Sequence, residues 1–330
     1  MYLGIDTHDH YAQVAVVDDD GNLQDEIRLP TDRLDELAEA YAGSQAVIEA
    51  SGSYRPVYEV LDEHLDVTVA NPSKNRLIAD ATVKTDRLDA KRLAHLLRVG
   101  MLAESYVPTD EIRDLRDLVR TRKALVEAQT AEKNRVRAVL KRTNNTYRSE
   151  LFGPTGREFL AELSLSPIDR TILDAHLAVI DELSTQIAVL EEQIERRVLE
   201  SPAAQLLLTI PGVGQTTAAM VVAELGDIAR FDTDTEVVSY AGLDPVVHQS
   251  GETEIHGSIS KQGPGALRWA LVQSARVAVR CSEYFGNFYT RLKRRKNDKI
   301  AIVATARKLL VSMFHMLKRN EPYDPPGVNA

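Results

Sequence analysis

Four carboxylates stand at positions suited to chemistry on a phosphodiester. Asp6 ends the run Tyr2-Leu3-Gly4-Ile5, Glu49 ends Ala46-Val47-Ile48, and Asp86 and Asp89 lie three apart in Lys84-Thr85-Asp86-Arg87-Leu88-Asp89-Ala90. Residues i and i+3 share one face of a helix, so the last two point the same way. Carboxylates brought together without compensation repel one another, and Mg2+ or Mn2+, which take oxygen ligands, relieve that repulsion. Two such ions roughly 4 Å apart would clamp the attacking and leaving oxygens of a phosphodiester. Lys84 and Arg87 flank the helical pair and offer contacts to phosphate.

A second set of reactive groups lies near the C-terminus. Tyr240-Ala241-Gly242-Leu243-Asp244-Pro245 is followed by His248-Gln249-Ser250-Gly251-Glu252, by Gly257-Ser258-Ile259-Ser260-Lys261-Gln262-Gly263 and by Leu267-Arg268-Trp269. This small and polar succession reads as loop, bringing hydroxyls, Lys261 and Arg268 near each other. A serine hydroxyl is a weak nucleophile at neutral pH and needs activation, from a metal ion or a base such as His248 or His256. Ser250, Ser258 and Ser260 are the possible nucleophiles, and residue types alone do not choose among them. Upstream, Thr209-Ile210-Pro211-Gly212-Val213-Gly214-Gln215 reads as a tight turn between two helices, a helix-hairpin-helix in which Gly212 and Gly214 let backbone amides approach a phosphate. The Gly-Lys-Ser/Thr ending of a nucleotide-binding loop is absent.

The elements that must position these groups follow from periodicity. Tyr2–Asp6, Tyr11–Val17 and Leu23–Leu29 are β-rich runs, the latter two separated by Asp18-Asp19-Asp20-Gly21-Asn22, a turn composition. Helix is expected over Thr31–Tyr41, strand over Ala46–Glu49, helix over Pro56–His64, strand over Val67–Ala70 and helix over Asp86–Val99. A meander followed by crossover units is an RNase H-like α/β arrangement with a mixed sheet, in which the first strand lies beside the one carrying Glu49. From Ile112 to Lys141 the pattern is helical and rich in arginine. Leu177, Ile180, Leu183, Ile187, Leu190, Ile194 and Val198 then trace a coiled-coil seam. Gly153, Pro154, Gly156 and Pro167 separate the two helices, which either fold back on each other or pair with a second subunit. The expected organisation is residues 1–105 α/β, 106–200 helical coiled coil, 201–320 mainly α, and a disordered tail over 321–330.

Composition limits the alternatives. The 330 residues suffice for two cores and a connecting element, and 44% hydrophobic residues is ordinary for a globular chain. No apolar run is read as a membrane span and the first residues lack a signal-peptide layout, so a cytoplasmic protein without a membrane partner is expected. The single Cys281 excludes an intramolecular disulfide and a multi-cysteine zinc site. The net charge of −9 is unevenly spread: acidic residues crowd the first forty positions, while basic ones gather over 113–148 and 291–308. Arg120, Arg122, Lys123, Arg135, Arg137, Lys141 and Arg142 in the first basic stretch could track a phosphate backbone.

The motifs around Asp6, Glu49, Asp86 and Asp89 resemble the DEDD-type RuvC-like domain of insertion-sequence transposases known as bridge-RNA-guided recombinases. The resemblance runs through almost the whole chain. The later Pro, Ser-Gly, Gly, Lys, Gly and Leu-Arg pattern is similar to that family's transposase domain. It implies that Asp6, Glu49, Asp86 and Asp89 bind the metal, that Ser250 becomes covalently joined to DNA, and that both centres combine, within or across subunits, into one active site. It also implies DNA element ends and target as substrates, a guide RNA that selects them, and a homo-oligomer, dimer or tetramer. Two other readings stand beside it: a metal-dependent nuclease or junction resolvase that uses water, and a non-catalytic dimeric nucleic-acid scaffold.

Overall fold

The computed structural model describes residues 1–50, 54–76, 85–250 and 253–325, with the side chains of 73, 76 and 247–256 outside that description. The chain divides into two compact units, Met1–Val107 and Pro108–Ala330.

The first unit opens with the expected meander, β1 (Tyr2–Thr7), β2 (Tyr11–Val17) and β3 (Leu23–Pro30). A short 3-10 turn leads to α1 (Leu34–Ala40), then β4 (Gln45–Glu49), α2 (Tyr54–Asp62), β5 (Asp66–Ala70), α3 (Pro72–Arg76) and α4 (Asp86–Arg98). The strand order is β3-β2-β1-β4-β5, with β1 antiparallel to β2 and parallel to β4. This is the mixed sheet expected from sequence. Leu3, Ile5, Val14, Val16, Ala46 and Ile48 bury on one face against Leu34, Leu37 and Leu61 of α1 and α2. Because side chains alternate along a strand, Gly4 and Asp6 lie on the opposite face, where α4 packs.

The second unit begins with α5 (Asp110–Arg142), α6 (Pro154–Glu162) and α7 (Pro167–Glu200). Thr109 and Ser166 cap α5 and α7, and Pro167 opens α7 where its missing N–H costs nothing. The two long helices run antiparallel within the chain. Arg122 pairs with Glu191 at one level, Gln129 donates to Ser184 at the next, Glu132 meets His176, and Arg142 meets Asp169 at the far end. The buried positions of α7, Leu173, Ile180, Ile187, Ile194 and Val198, are those of the expected seam or its upstream continuation. At the far end Leu173 and Ile180 cluster with Val136, Val139 and Leu140, and at the base Ile194 and Val198 cluster with Leu115 and Val119. Within the chain the seam takes the fold-back pairing, with Leu177, Leu183 and Leu190 left partly exposed.

The base of that hairpin shares one core with α8 (Pro202–Leu208), α9 (Gln215–Leu225), α10 (Asp234–Tyr240), α11 (Gly265–Cys281), α12 (Glu283–Lys293) and α13 (Asp298–Arg319). By length and composition alone α13 would pass for a membrane span, a weak sign that a buried core helix gives as well. Its apolar side is the core itself: Ile302, Ala306, Leu309, Leu310 and Met313 are buried. Two expectations are corrected. The polar succession after Pro245 is not all loop but contains an antiparallel pair, β6 (Pro245–Ser250) and β7 (Thr253–Ile259). The start of the tail is ordered: Tyr323 stacks on Phe285 with ring centroids 5.9 Å apart, and its N–H donates to Thr209 Oγ1 at 2.9 Å. Residues 326–330 lie outside the described part.

Candidate active site

Strand register brings the first two carboxylates together. Ile5 pairs with Ile48 in the parallel β1–β4 ladder, and one step further along lie Asp6 and Glu49, at the carboxyl ends of adjacent strands. Thr85 caps α4 by accepting from the Leu88 N–H, which places Asp86 and Asp89 in the first turn, at the positive end of the helix dipole. Gly4 lets that helix close on the sheet. A Cβ at this position would lie 1.9 Å from the Ala90 carbonyl oxygen and 2.5 Å from the Ala94 nitrogen. No side chain larger than hydrogen fits there, and the approach carries the start of α4 over Asp6.

Electrostatics register the convergence. Burial, the largest cause, pushes the Asp6 carboxyl above its ordinary pKa; His8 opposes this, while the charges of Asp86, Asp89 and Glu49 add to it. Asp86 moves the other way: the hydrogen bond from Tyr11 Oη, 2.8 Å from Oδ2, holds its carboxyl below the usual value against a smaller desolvation effect. Asp89 is paired with Arg92 at 3.2 Å. Arg87 turns outward to Glu26 at 2.9 Å, and Lys84 lies outside the described residues.

Three residues around this centre were not singled out from sequence. His8 Nε2 lies 3.5 Å from Asp6 Oδ2 and 3.3 Å from Asp86 Oδ2, so Asp6, His8 and Asp86 form a group able to hold a metal ion. The His8 ring stacks on Tyr11, with centroids 4.5 Å apart, and the Arg28 guanidinium lies 3.9 Å from the Tyr11 ring centre. The pairing Asp6↔Gln13↔Arg28 puts these side chains on one face, and Tyr11 joins them by alternation with Gln13. That signal was present once the meander was recognised. A carboxylate raised by burial and by three like charges fits a divalent cation, the species that would neutralise it.

In the second unit, the expected C-terminal residues hold a knot at the base of the β6–β7 pair. Arg268 Nη1 donates to the carbonyls of Ala241, Gln262 and Gly263 at 3.0 to 3.1 Å. Ser260 Oγ donates to Asp244 Oδ1 at 2.5 Å, and the Lys261 N–H donates to Gly242. Lys261 itself has a positive φ of 56° and stays exposed. Ser250 ends β6, paired with Thr253; its side chain and those of His248 and His256 lie outside the description, as do Gly251 and Glu252. Gly212, with φ of 94°, needs to be glycine because a Cβ would meet the Ala278 nitrogen of α11 at 2.5 Å. Its backbone approaches another helix. Gly214, capping α9, has open space around it.

Most of the basic residues expected on nucleic acid have partners within the chain. Arg120 makes a two-pronged pair, 2.7 and 2.8 Å, with the fully buried Glu224, and Arg116 stands 3.9 Å from the same carboxylate. Glu224 was missed in the sequence because a lone glutamate in an apolar helix gives no hint of its partner. Arg122 pairs with Glu191, Lys123 with Glu127, Arg135 with Glu132 and Arg142 with Asp169. Arg137 bonds Asn134 and lies over Phe152, and Lys141 lines an open cleft beside Asn144 and Asn145.

Both units have relatives. Residues 3–145 match a transposase domain model named for the DEDD transposases of IS110, and residues 204–290 match the model described as Transposase IS116/IS110/IS902 family. The chain is 30% identical over 266 residues to a probable family 20 transposase of Pseudomonas aeruginosa, covering 76% of this chain and 79% of that protein. It is 28% identical to the transposase for insertion sequence element IS1111A of Coxiella burnetii, covering 73% of this chain and 68% of that protein. A pilin gene-inverting protein of Moraxella bovis is 30% identical, over 84% of this chain and 81% of its own length. With the carboxylate unit and the C-terminal unit matched in that order, and relatives covered over most of their length, the chain belongs to the IS116/IS110/IS902 family of transposases, which recombine DNA.

Proposed function

We propose that this chain cleaves and rejoins insertion-sequence DNA through a covalent Ser250–DNA intermediate, assisted by Mg2+ or Mn2+ held at Asp6, Glu49, Asp86 and Asp89. A noncoding guide RNA would select the DNA, and a homo-oligomer would handle two duplexes. The observation that carries the metal part is the grouping of Asp6, His8 and Asp86, whose ligand atoms lie within 4.8 Å of one another. The ion would supply a Lewis acid that offsets charge developing on the phosphate oxygens.

In the reaction, Ser250 Oγ forms a bond to phosphorus as one P–O ester bond breaks. The serine proton leaves to a base, and the departing DNA oxygen takes up a proton. The phosphoserine diester conserves the energy of the broken bond, so a second strand's hydroxyl can displace the serine without ATP. Ser260 is the rival nucleophile favoured by a specific contact, because its hydroxyl already donates to the Asp244 carboxylate. Leu177, Leu183 and Leu190 of the α7 seam stay partly exposed and could contribute to the oligomer's interface.

Purified protein incubated with Mg2+, the adjacent noncoding RNA and labelled element-end DNA should form a denaturation-resistant protein–DNA adduct. The adduct is expected to vanish in Ser250→Ala and in Asp6→Asn and to survive in Ser260→Ala. Survival in Ser250→Ala with loss in Ser260→Ala moves the nucleophile to Ser260. Cleavage without any adduct, abolished only by Asp6→Asn, makes the chain a water-using metal nuclease.

A further inference from the structure

The turn from β1 to β2 carries His8 back over the carboxylates. Its backbone N–H donates to the Tyr11 carbonyl at 2.9 Å, closing the turn, and its ring lies on Tyr11. Tyr11 in turn binds the same Asp86 Oδ2 that faces His8 Nε2. One imidazole nitrogen is thus aimed at two carboxylate oxygens from 3.3 and 3.5 Å. Those separations suit neighbouring ligand atoms on one ion, because two bonds of about 2.1 Å near a right angle place their donors roughly 3 Å apart. The ligand atoms of Asp6, His8 and Asp86 all lie within 4.8 Å of one another.

We propose that His8 is a nitrogen ligand of the divalent ion, making the centre a mixed imidazole–carboxylate site that prefers Mn2+ to Mg2+. Tyr11 is a positioning residue that holds Asp86 for the same ion. The proposal rests on the divalent-ion reading above. Imidazole is a softer donor than carboxylate and adds affinity for a transition metal, whereas Mg2+ favours an all-oxygen shell and keeps its waters. Tyr11 acts as the outer partners of metal ligands do: its hydrogen bond to Asp86 Oδ2, the oxygen that faces His8 Nε2, fixes the orientation of that carboxylate.

The test is pulsed electron paramagnetic resonance of the full chain loaded with Mn2+, beside titrations of Mn2+ and Mg2+ affinity, for wild type, His8→Gln, Tyr11→Phe and Asp6→Asn. Wild type should show nuclear modulation from a directly bound imidazole nitrogen. In His8→Gln that modulation should disappear, Mn2+ affinity should fall by about tenfold or more, and the preference for Mn2+ over Mg2+ should shrink. Tyr11→Phe should keep the modulation and weaken both ions by a similar factor, about tenfold, with an unchanged melting temperature. Bound Mn2+ without nitrogen modulation, or modulation that persists in His8→Gln, overturns the ligand assignment while the metal reading stands. If wild type and Asp6→Asn alike fail to bind Mn2+, the metal reading falls and takes His8 with it.

Discussion

Gly4 and Tyr11 show how single side chains set the geometry of the carboxylate centre. At Gly4 the absence of a Cβ admits the Ala90 carbonyl of α4 to a distance that no other residue permits. Gly4→Ala must push α4 outward, and overpacking of this kind costs about 1–3 kcal/mol. The same displacement separates Asp86 and Asp89 from Asp6. Denaturant unfolding should therefore show the loss of stability, and Mn2+ titration of the same sample a weaker site; a Gly4→Ala chain with wild-type metal affinity would mean that α4 does not set the carboxylate spacing. Asp6 and Asp86 differ for a local reason as well. Asp6 is the more buried of the two and sits near like charges, whereas Asp86 is more exposed and receives a phenol hydrogen bond.

Among the elements, α5 and α9 are tied by one ion pair that dominates its surroundings. Glu224 is fully buried, and its charge is tolerable because Arg120 meets both oxygens while Arg116 stands near. Removing Arg120 leaves a carboxylate in the core with only the more distant guanidinium to offset it, and Arg120→Ala should cost about 3 kcal/mol. Arg122→Ala breaks a pair with the half-exposed Glu191 and should cost less than about 1 kcal/mol. Comparing the two by chemical denaturation separates a residue that holds the fold from one at its surface. Equal costs would show that Glu224 is compensated without Arg120. Both arginines look alike in sequence, on one arginine-rich helix, and only the helix facing each of them tells them apart.

Over the whole molecule the charge of −9 conceals a basic corner where α12 passes into α13. Arg291, Arg294, Arg295, Lys296 and Lys299 are exposed there, and none has an acidic partner among the described residues, unlike most of the basic residues of α5. Unpaired surface cations are the ones available to phosphate. Arg294→Glu with Arg295→Glu should weaken binding to duplex DNA and to the noncoding RNA proposed above as a guide. The slope of log affinity against log salt should become shallower by about 1 for each phosphate that the variant no longer neutralises. If one nucleic acid is affected and the other is not, the corner is assigned to that partner; an unchanged affinity for both removes it from the interface.

Apart from the short α3, the order of strands and helices in the first unit, and the placement of β1 beside the strand that carries Glu49, followed from sequence alone. The pleat has a period of two, parallel neighbours need a crossover helix, and both rules act locally along the chain. The i, i+3 spacing of Asp86 and Asp89 and the seam of α7 were legible for the same reason. What tertiary structure decided was partnership. The seam did not name its partner, and α5 of the same chain packs against it because the intervening segment lets the two helices run antiparallel. His8 joins the carboxylates only because a closed turn and the Tyr11 ring hold it there, and turn composition does not specify where a side chain is folded back. The β6–β7 pair was read as loop because its small and polar residues resemble one, while ladder hydrogen bonds and the Arg268 knot stabilise strands instead. Tyr323 looked like part of a polar tail, yet Phe285 gives it a surface to cover. Local rules act through neighbours in sequence, whereas these outcomes depend on groups that only folding brings into contact.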